Sequence, residues 1–598
     1  MTTEALKAQF PDLEWYKIPT PEDHPAYIYH GFEPGKTVLP KGHVRFPGRR
    51  AFPIDVILDR DVAIPMRDGV VLYADIFRSV ESDQSEKVPA IIPWSPYGKT
   101  GTGTQHYDNM APFRAGLPLD KTSGYEKFEA PDPAEWVQRG YAIVNVDARG
   151  INRSGGEVVF WGQQEAEDIY DTIDWLAKQP WCNGSVGMAG NSWLSIAQVN
   201  YASRLEHPAL KALAPWECFT DPYRDLVARG GRKHNEGFHN LLLTGFAGPQ
   251  TTAENLPGMI AKRPLYDEYW ESKYIHTENI TVPLYILASY STMLHTRGSL
   301  QTFRTARSAH KWLRVHPHQE WYDLYRPEIV DDLQRYFDRF LKGIDNGWEH
   351  DTPPVRLSLL GFEASGSPAT TIRERAEQEY PLARQTLKTF YLNAMTKSLQ
   401  ADPVAAAASV SHAGHDLQAS SDFTLFFDGY TEIAGYAKVR LWMCCQQHDD
   451  MDVAVQIRKI SAQGIPLAHL NYPCPDALSI DDVPDVNTAK TLGPQGFLRA
   501  SHSISRDASQ STEQEIFYRH DRREPVGLGT IVPLEITLWP MGMVFAPGEG
   551  IMLRVSGHDM CLPEVELIRP TTAEDENVGE HEIHAGGRYD SCLVLPFL

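Results

Sequence analysis

Cysteine is scarce and unpatterned in this chain of 598 residues: Cys182, Cys218, Cys444, Cys445, Cys474, Cys561 and Cys592, an odd count without a CxxC pair. That excludes a disulfide framework and offers no structural zinc signature, so buried free thiols and no metal or other cofactor are expected. Basic residues are outnumbered, with 56 Lys plus Arg against 78 Asp plus Glu and a net charge of −22. Such a surface does not neutralise phosphates or anionic lipid, so neither nucleic acid nor membrane is expected as a partner. Long apolar runs are absent as well, and the opening MTTEALKAQFPDLEWYKIP lacks the basic region and apolar core of a signal peptide. A soluble, cytoplasmic protein follows as the expectation. The length exceeds what one core usually supports, so two or three domains are expected.

Residues 1–50 lack periodicity and read as an arm laid over a domain surface. From residue 51 the texture changes. IDVILDRDVAIPMRDGVVLYADIFR predicts antiparallel strands turning at Arg67-Asp68-Gly69, and VPAIIPWSPYGKT an apolar strand ending in a loop. AEWVQRGYAIVNVDARG predicts a short helix and a buried strand, and EAEDIYDTIDWLAKQPWCNG a helix before the strand SVGMAG. This alternation predicts a largely parallel sheet covered on both faces, over 51–230 and again over 281–354. Residues 231–280, polar and aromatic with several Gly and Pro, predict a cap between the two parts. Beyond 355, segments such as YAKVRLWMCC, MDVAVQIRKI, VPLEITLWPM and GIMLRVSGHD predict an all-β sandwich to residue 598.

The strand, the turn Gly190-Asn191-Ser192 and the helix that follows supply the context of a nucleophile elbow. A small residue at 190 permits the sharp turn, the Ser192 hydroxyl is exposed at its tip, and the Trp193 N–H is directed at a developing oxyanion. Leu194 stands where the GxSxG pattern has its last glycine, although the small Ser195 follows.

MRDGVVLYADIFR, PWSPYGK, RGYAIVNVDARGINRSGGE, EAEDIYDTIDWLAKQPWCNGSVGMAGNSW, GFLRASH and GGRYDSCLVLPF occur in this order. With them the chain resembles the X-Pro dipeptidyl-peptidase and cocaine-esterase (CocE/NonD) hydrolases from about residue 52 onward. The resemblance implies an α/β-hydrolase domain, a helical cap and a C-terminal jelly-roll domain, acting on acyl esters, amides or peptides. It assigns Ser192 as nucleophile and Tyr97 as a hydroxyl donor to the oxyanion hole. A phenol at a strand end behind the rigid Pro96 suits that role as a neutral donor. Asp147 and Arg149 match the family too and read as ion-paired scaffold.

Two loops depart from the family. Its acid segment, similar to Gly-Trp-x-Asp, is here Ser289-Tyr290-Ser291-Thr292, and its histidine segment is here His316-Pro317-His318-Gln319-Glu320. A serine hydroxyl is a weak nucleophile without a base, so replacements are required. His295 and Glu320 supply them if the two roles have exchanged loops, giving a Ser192, His295, Glu320 triad. His318 is the rival base, and Asp323 and Asp221 are further candidate acids. Glu320 paired plainly with Arg314 or Arg297 is the structural alternative.

The expected function is serine hydrolysis of an ester or amide through an acyl-serine intermediate, on a small-molecule substrate held by Trp216, Phe219, Tyr223, Phe238, Tyr266 and Trp270. An acyltransferase or carbon–carbon bond hydrolase using the same site is one alternative, and a catalytically inactive binding protein is another. A homo-oligomer is left open.

Overall fold

The computed structural model describes residues 2–560 and 578–598, except Ser85, Asn235, Met293, Ala477 and Asn487. Cys561 lies outside the described residues. Two sheets dominate, each over its own apolar core.

The first is a mixed sheet. Its parallel centre runs Ala142–Asp147, Val88–Ile92, Cys182–Asn191, Leu210–Trp216, Leu284–Ser289, Lys311–His316 and Val355–Leu359. These strands are almost wholly buried, as both faces are covered. The hairpin Val56–Pro65 and Val71–Ser79 is antiparallel, and Gly69, at φ 85°, supplies the left-handed turn. Helix Pro327–Leu341 begins on proline, whose missing N–H is no loss there, and buries Ile329, Val330, Leu333, Tyr336, Phe337 and Leu341. Phe337 and Leu341 press so closely on Gly187 that a Cβ there would lie 2.9 Å from Leu341.

Two boundaries differ from the sequence expectation. The sheet does not end at 354: Val355–Leu359 pairs in parallel with Lys311–His316, and Ile372–Glu377 closes that edge antiparallel. The polar residues of Ile372–Glu377 disguise it, because an edge strand needs no apolar alternation. The N-terminal arm also contributes structure, with Gly35–Leu39 forming the opposite edge and Trp15–Lys17 pairing with Thr252–Glu254.

Short helices, among them Glu236–Thr244 and Leu256–Lys262, fill the interval between Leu210–Trp216 and Leu284–Ser289. The C-terminal strands, including Lys438–Cys445, Asp452–Ile460, Gly550–Ser556, Glu580–Ala585 and Cys592–Phe597, pair mostly antiparallel around the second core. Tyr290 packs against both cores and so joins the two units. Among the described residues, no helix is long and apolar enough to cross a membrane.

Candidate active site

Ser192 sits between strand Cys182–Asn191 and helix Trp193–Arg204 with φ 52° and ψ −118°. This strained conformation lifts its hydroxyl above the carboxyl ends of the parallel strands. Gly190 permits the turn: its φ is 137°, and a Cβ there would meet Leu194 at 2.5 Å and the Glu129 carbonyl at 2.9 Å. Ser192 N–H donates to the Trp216 carbonyl at 3.0 Å, tying the elbow to the neighbouring strand. Ser195 is fully buried beside Cys218, so a small residue one place after Leu194 serves the close helix approach.

The Trp193 N–H is the first of its helix and has no carbonyl of that helix to bond. Its indole donates to Glu165 at 2.9 Å and fixes the residue. Tyr97 is buried facing Ser192; burial, then Glu129, push its phenol well above the ordinary range, so it stays a neutral donor. The loop that carries Tyr97 is anchored one turn on. Lys99 is buried between Asp61 and Asp75, and its backbone N–H donates to Asp147 at 2.6 Å. Asp147 thus pins this loop, while Arg149 pairs instead with Asp168 at 2.6 Å.

His295 precedes helix Thr296–Thr305, and its Nε2 lies 3.4 Å from Ser192 Oγ, loose as unliganded sites often are. On the other side its Nδ1 is 3.2 Å from the Thr292 hydroxyl and 4.0 Å from Glu217 Oε2. Glu217 directly follows strand Leu210–Trp216 and holds φ 58°, a conformation that costs a side-chain-bearing residue about 1–3 kcal/mol. It is fully buried, and neither carboxyl oxygen has a hydrogen-bond partner among the described residues.

Glu320 also reaches this place: one carboxyl oxygen of each glutamate and one His295 nitrogen lie within 4.8 Å of one another. Burial, then the Glu320 charge, hold the Glu217 carboxyl well above its usual range, and burial raises Glu320 to about 7. Burial, then Arg229, push His295 down to about 3, so the resting imidazole is neutral and able to accept a proton. His295 Nδ1 and Glu217 Oε2, 4.0 Å apart, stand wider than neighbouring ligand atoms of a tetrahedral shell.

The other sequence candidates fall elsewhere. His318 bonds Arg373 at 3.0 Å and packs on Tyr322, while His316 is wedged 3.7 Å from both Glu217 and Asp323. Asp323 is held by Arg314 at 2.5 Å; burial opposes its charge, yet Arg314 keeps the carboxyl well below its usual range. Asp221 caps the turn at Pro222–Val227 and pairs with Arg224. Arg297 pairs with Asp225 and Glu515, so neither Arg297 nor Arg314 takes Glu320.

The expected aromatic pocket is corrected. Trp216, Phe219, Tyr223 and Trp270 are buried in the core, with Tyr223 5.5 Å from Trp270 and 5.4 Å from Tyr266. Phe238 is only partly buried against the same core. Beside Tyr97, a cleft too tight to hold a water molecule is lined by Thr104, Gln105, Leu242, Gly245 and Phe246. Glu217 and Glu129 escaped the sequence reading. For Glu217 the available signal was a carboxylate immediately after an apolar parallel strand, where open α/β sheets place their ligand-binding groups.

A nucleophile elbow on the carboxyl edge of a parallel sheet, with an imidazole at the serine and donors beside it, defines an α/β hydrolase site. Residues 68–258 match the X-Pro dipeptidyl-peptidase (S15 family) domain, and residues 346–594 match the X-Pro dipeptidyl-peptidase C-terminal non-catalytic domain. The chain belongs to the CocE/NonD hydrolase family. A CocE/NonD family hydrolase from Staphylococcus aureus superposes with a TM-score of 0.80 at 30% identity, covering 91% of this chain and 94% of that one.

The cocaine esterase of Rhodococcus sp. is 35% identical over 164 residues, 27% of this chain and 24% of the esterase. A stretch of 76 residues is 50% identical to L-tyrosine:2-oxoglutarate aminotransferase of Aspergillus ustus, spanning 13% of this chain and 14% of that protein. The chain thus spans a quarter or less of the length of these two curated relatives.

Proposed function

We propose that the protein is a serine esterase that transfers the acyl group of a small or medium apolar ester to Ser192 and then to water. The observation that carries this reading is the 3.4 Å approach of His295 Nε2 to Ser192 Oγ, with buried carboxyls behind the ring. His295 accepts the serine proton as Ser192 attacks the carbonyl carbon. The Trp193 N–H and the Tyr97 hydroxyl take the oxyanion, and His295 returns the proton to the leaving alcohol. Water then repeats the sequence on the acyl-serine. Glu217 and Glu320 share the task of orienting the imidazole and stabilising its charged form, which geometry rather than chain order defines.

In this reading residues 231–280 form a cap and the C-terminal strands a jelly roll that buttresses it. All six described cysteines are unpaired, which supports a reducing, cytoplasmic setting. The test is labelling by a fluorophosphonate probe together with hydrolysis of p-nitrophenyl butyrate. Wild type is expected to label and turn over, and Ser192→Ala to do neither while remaining folded. A folded wild type that resists the probe sinks the reading.

A further inference from the structure

On the outer face of the C-terminal strands, Cys444, Glu582 and His584 converge, far from Ser192 in the fold. Cys444 lies in Lys438–Cys445, and Glu582 and His584 lie in Glu580–Ala585. These strands pair antiparallel with Cys444 opposite Glu582, so alternation brings all three side chains to one face. Their neighbours Met443, Cys445 and Ile583 point the other way, into the core. Cys444 Sγ lies 3.6 Å from Glu582 Oε2 and 3.4 Å from His584 Nε2, and these last two atoms are 3.6 Å apart.

Tetrahedral zinc, with bonds of about 2.3 Å to sulfur and about 2.0–2.2 Å to nitrogen and oxygen, places its ligand atoms about 3.3–3.6 Å apart. The triangle observed here has those edges. We propose that Cys444, Glu582 and His584 form a binding site for one divalent cation of the zinc class. Thiolate, imidazole and carboxylate are the donor set that suits such an ion.

Cys444 is 1% exposed, whereas the side chains of His584 and Glu582 are 15% and 29% exposed, so water reaches the fourth position. Burial, then the Glu582 charge, push the Cys444 thiol up to about 11, so the sulfur carries a proton before an ion binds. Binding exchanges it: the cation gains a sulfur bond, and one proton leaves to solvent without any change of oxidation state. The ion ties together strands whose ligands are 138 and 140 residues apart in sequence. No spacing motif announces these ligands, because they face each other across a sheet rather than along the chain.

The full chain, reduced and stripped with EDTA, is titrated with Co²⁺. One equivalent is expected to produce the near-ultraviolet band of thiolate-to-cobalt charge transfer, to be displaced by Zn²⁺, and to raise the thermal midpoint. Cys444→Ser removes the band. His584→Gln weakens Co²⁺ binding by more than the ~10–100-fold that loss of an outer partner usually costs. His295→Gln leaves the band intact, which separates this site from the cluster at Ser192. Absence of the band in folded wild type, or its survival in Cys444→Ser, overturns the proposal.

Discussion

Glu217 Oε2 lies 4.0 Å from His295 Nδ1, and Glu217 reaches that place only by holding a left-handed backbone at φ 58°. A strained, fully buried carboxyl without a hydrogen-bond partner among the described residues is a costly feature of a resting fold. Its geometry makes sense when a proton arrives on the imidazole.

Glu217→Gln is therefore expected to lower kcat on an ester substrate by ~10²- to 10⁴-fold with little change in KM, since the lost charge matters mainly in the transition state. Glu320→Gln, at the more distant carboxyl, should cost less. The double variant should fall short of the product of the two, because the pair acts on one imidazole. Steady-state kinetics of the three proteins check this; unchanged kcat in Glu217→Gln rejects the role.

Tyr97→Phe keeps the ring and removes one oxyanion donor, which typically lowers kcat by ~10²- to 10³-fold. KM should move far less. A changed thermal midpoint with unchanged kinetics would assign Tyr97 to packing alone.

Lys99 is the anchor of the Tyr97 loop, buried between Asp61 and Asp75. Lys99→Met leaves two carboxylates buried without their cation, and breaking such a pairing costs about 3–5 kcal/mol. Denaturant unfolding should record that loss. Adding Asp75→Asn should recover part of it, since one of the stranded charges disappears.

Much of this was legible in the sequence. The strand, turn and helix around Ser192 follow from Gly190 and the apolar segments beside it, and the structure brings His295 to that serine from a loop whose motif had been replaced. Glu217 was not legible, because its role depends on the order of strands in space, which places the end of Leu210–Trp216 between the serine strand and the His295 loop. The aromatic residues assigned to a pocket are core residues, since composition cannot distinguish a lined cavity from a filled one. The polar edge strand Ile372–Glu377 hid the true end of the first sheet for a similar reason.

The pH dependence follows from the buried carboxyls. Glu320 is raised from 4.5 to about 7 by burial, and Glu217 is raised well above its usual range. Ionised Glu320 adds to the stabilisation of the imidazolium, so kcat/KM should rise with pH through about 7, the window set by the Glu320 shift. Stability runs the opposite way: a carboxyl raised on folding stabilises the fold fully below 4.5 and loses that contribution as pH climbs through about 7. Glu320→Gln should remove or displace the inflection in the activity profile. A profile of wild type that is flat across neutral pH would reject the carboxyl control.

The two candidate bases have different surroundings. His295 Nε2 faces Ser192, whereas His318 is engaged by Arg373 at 3.0 Å and by the ring of Tyr322. His295→Ala should approach the loss caused by Ser192→Ala, because groups that act as one unit fail together, and combining the two should add little. Fluorophosphonate labelling should slow in parallel, since it reads activation of the serine without any ester substrate. His318→Ala should change the turnover of a small ester less than tenfold, since that ring lies outside the serine's contacts. The reverse ranking would return the base to the loop after Lys311–His316 and leave Glu217 facing a histidine with no part in proton transfer.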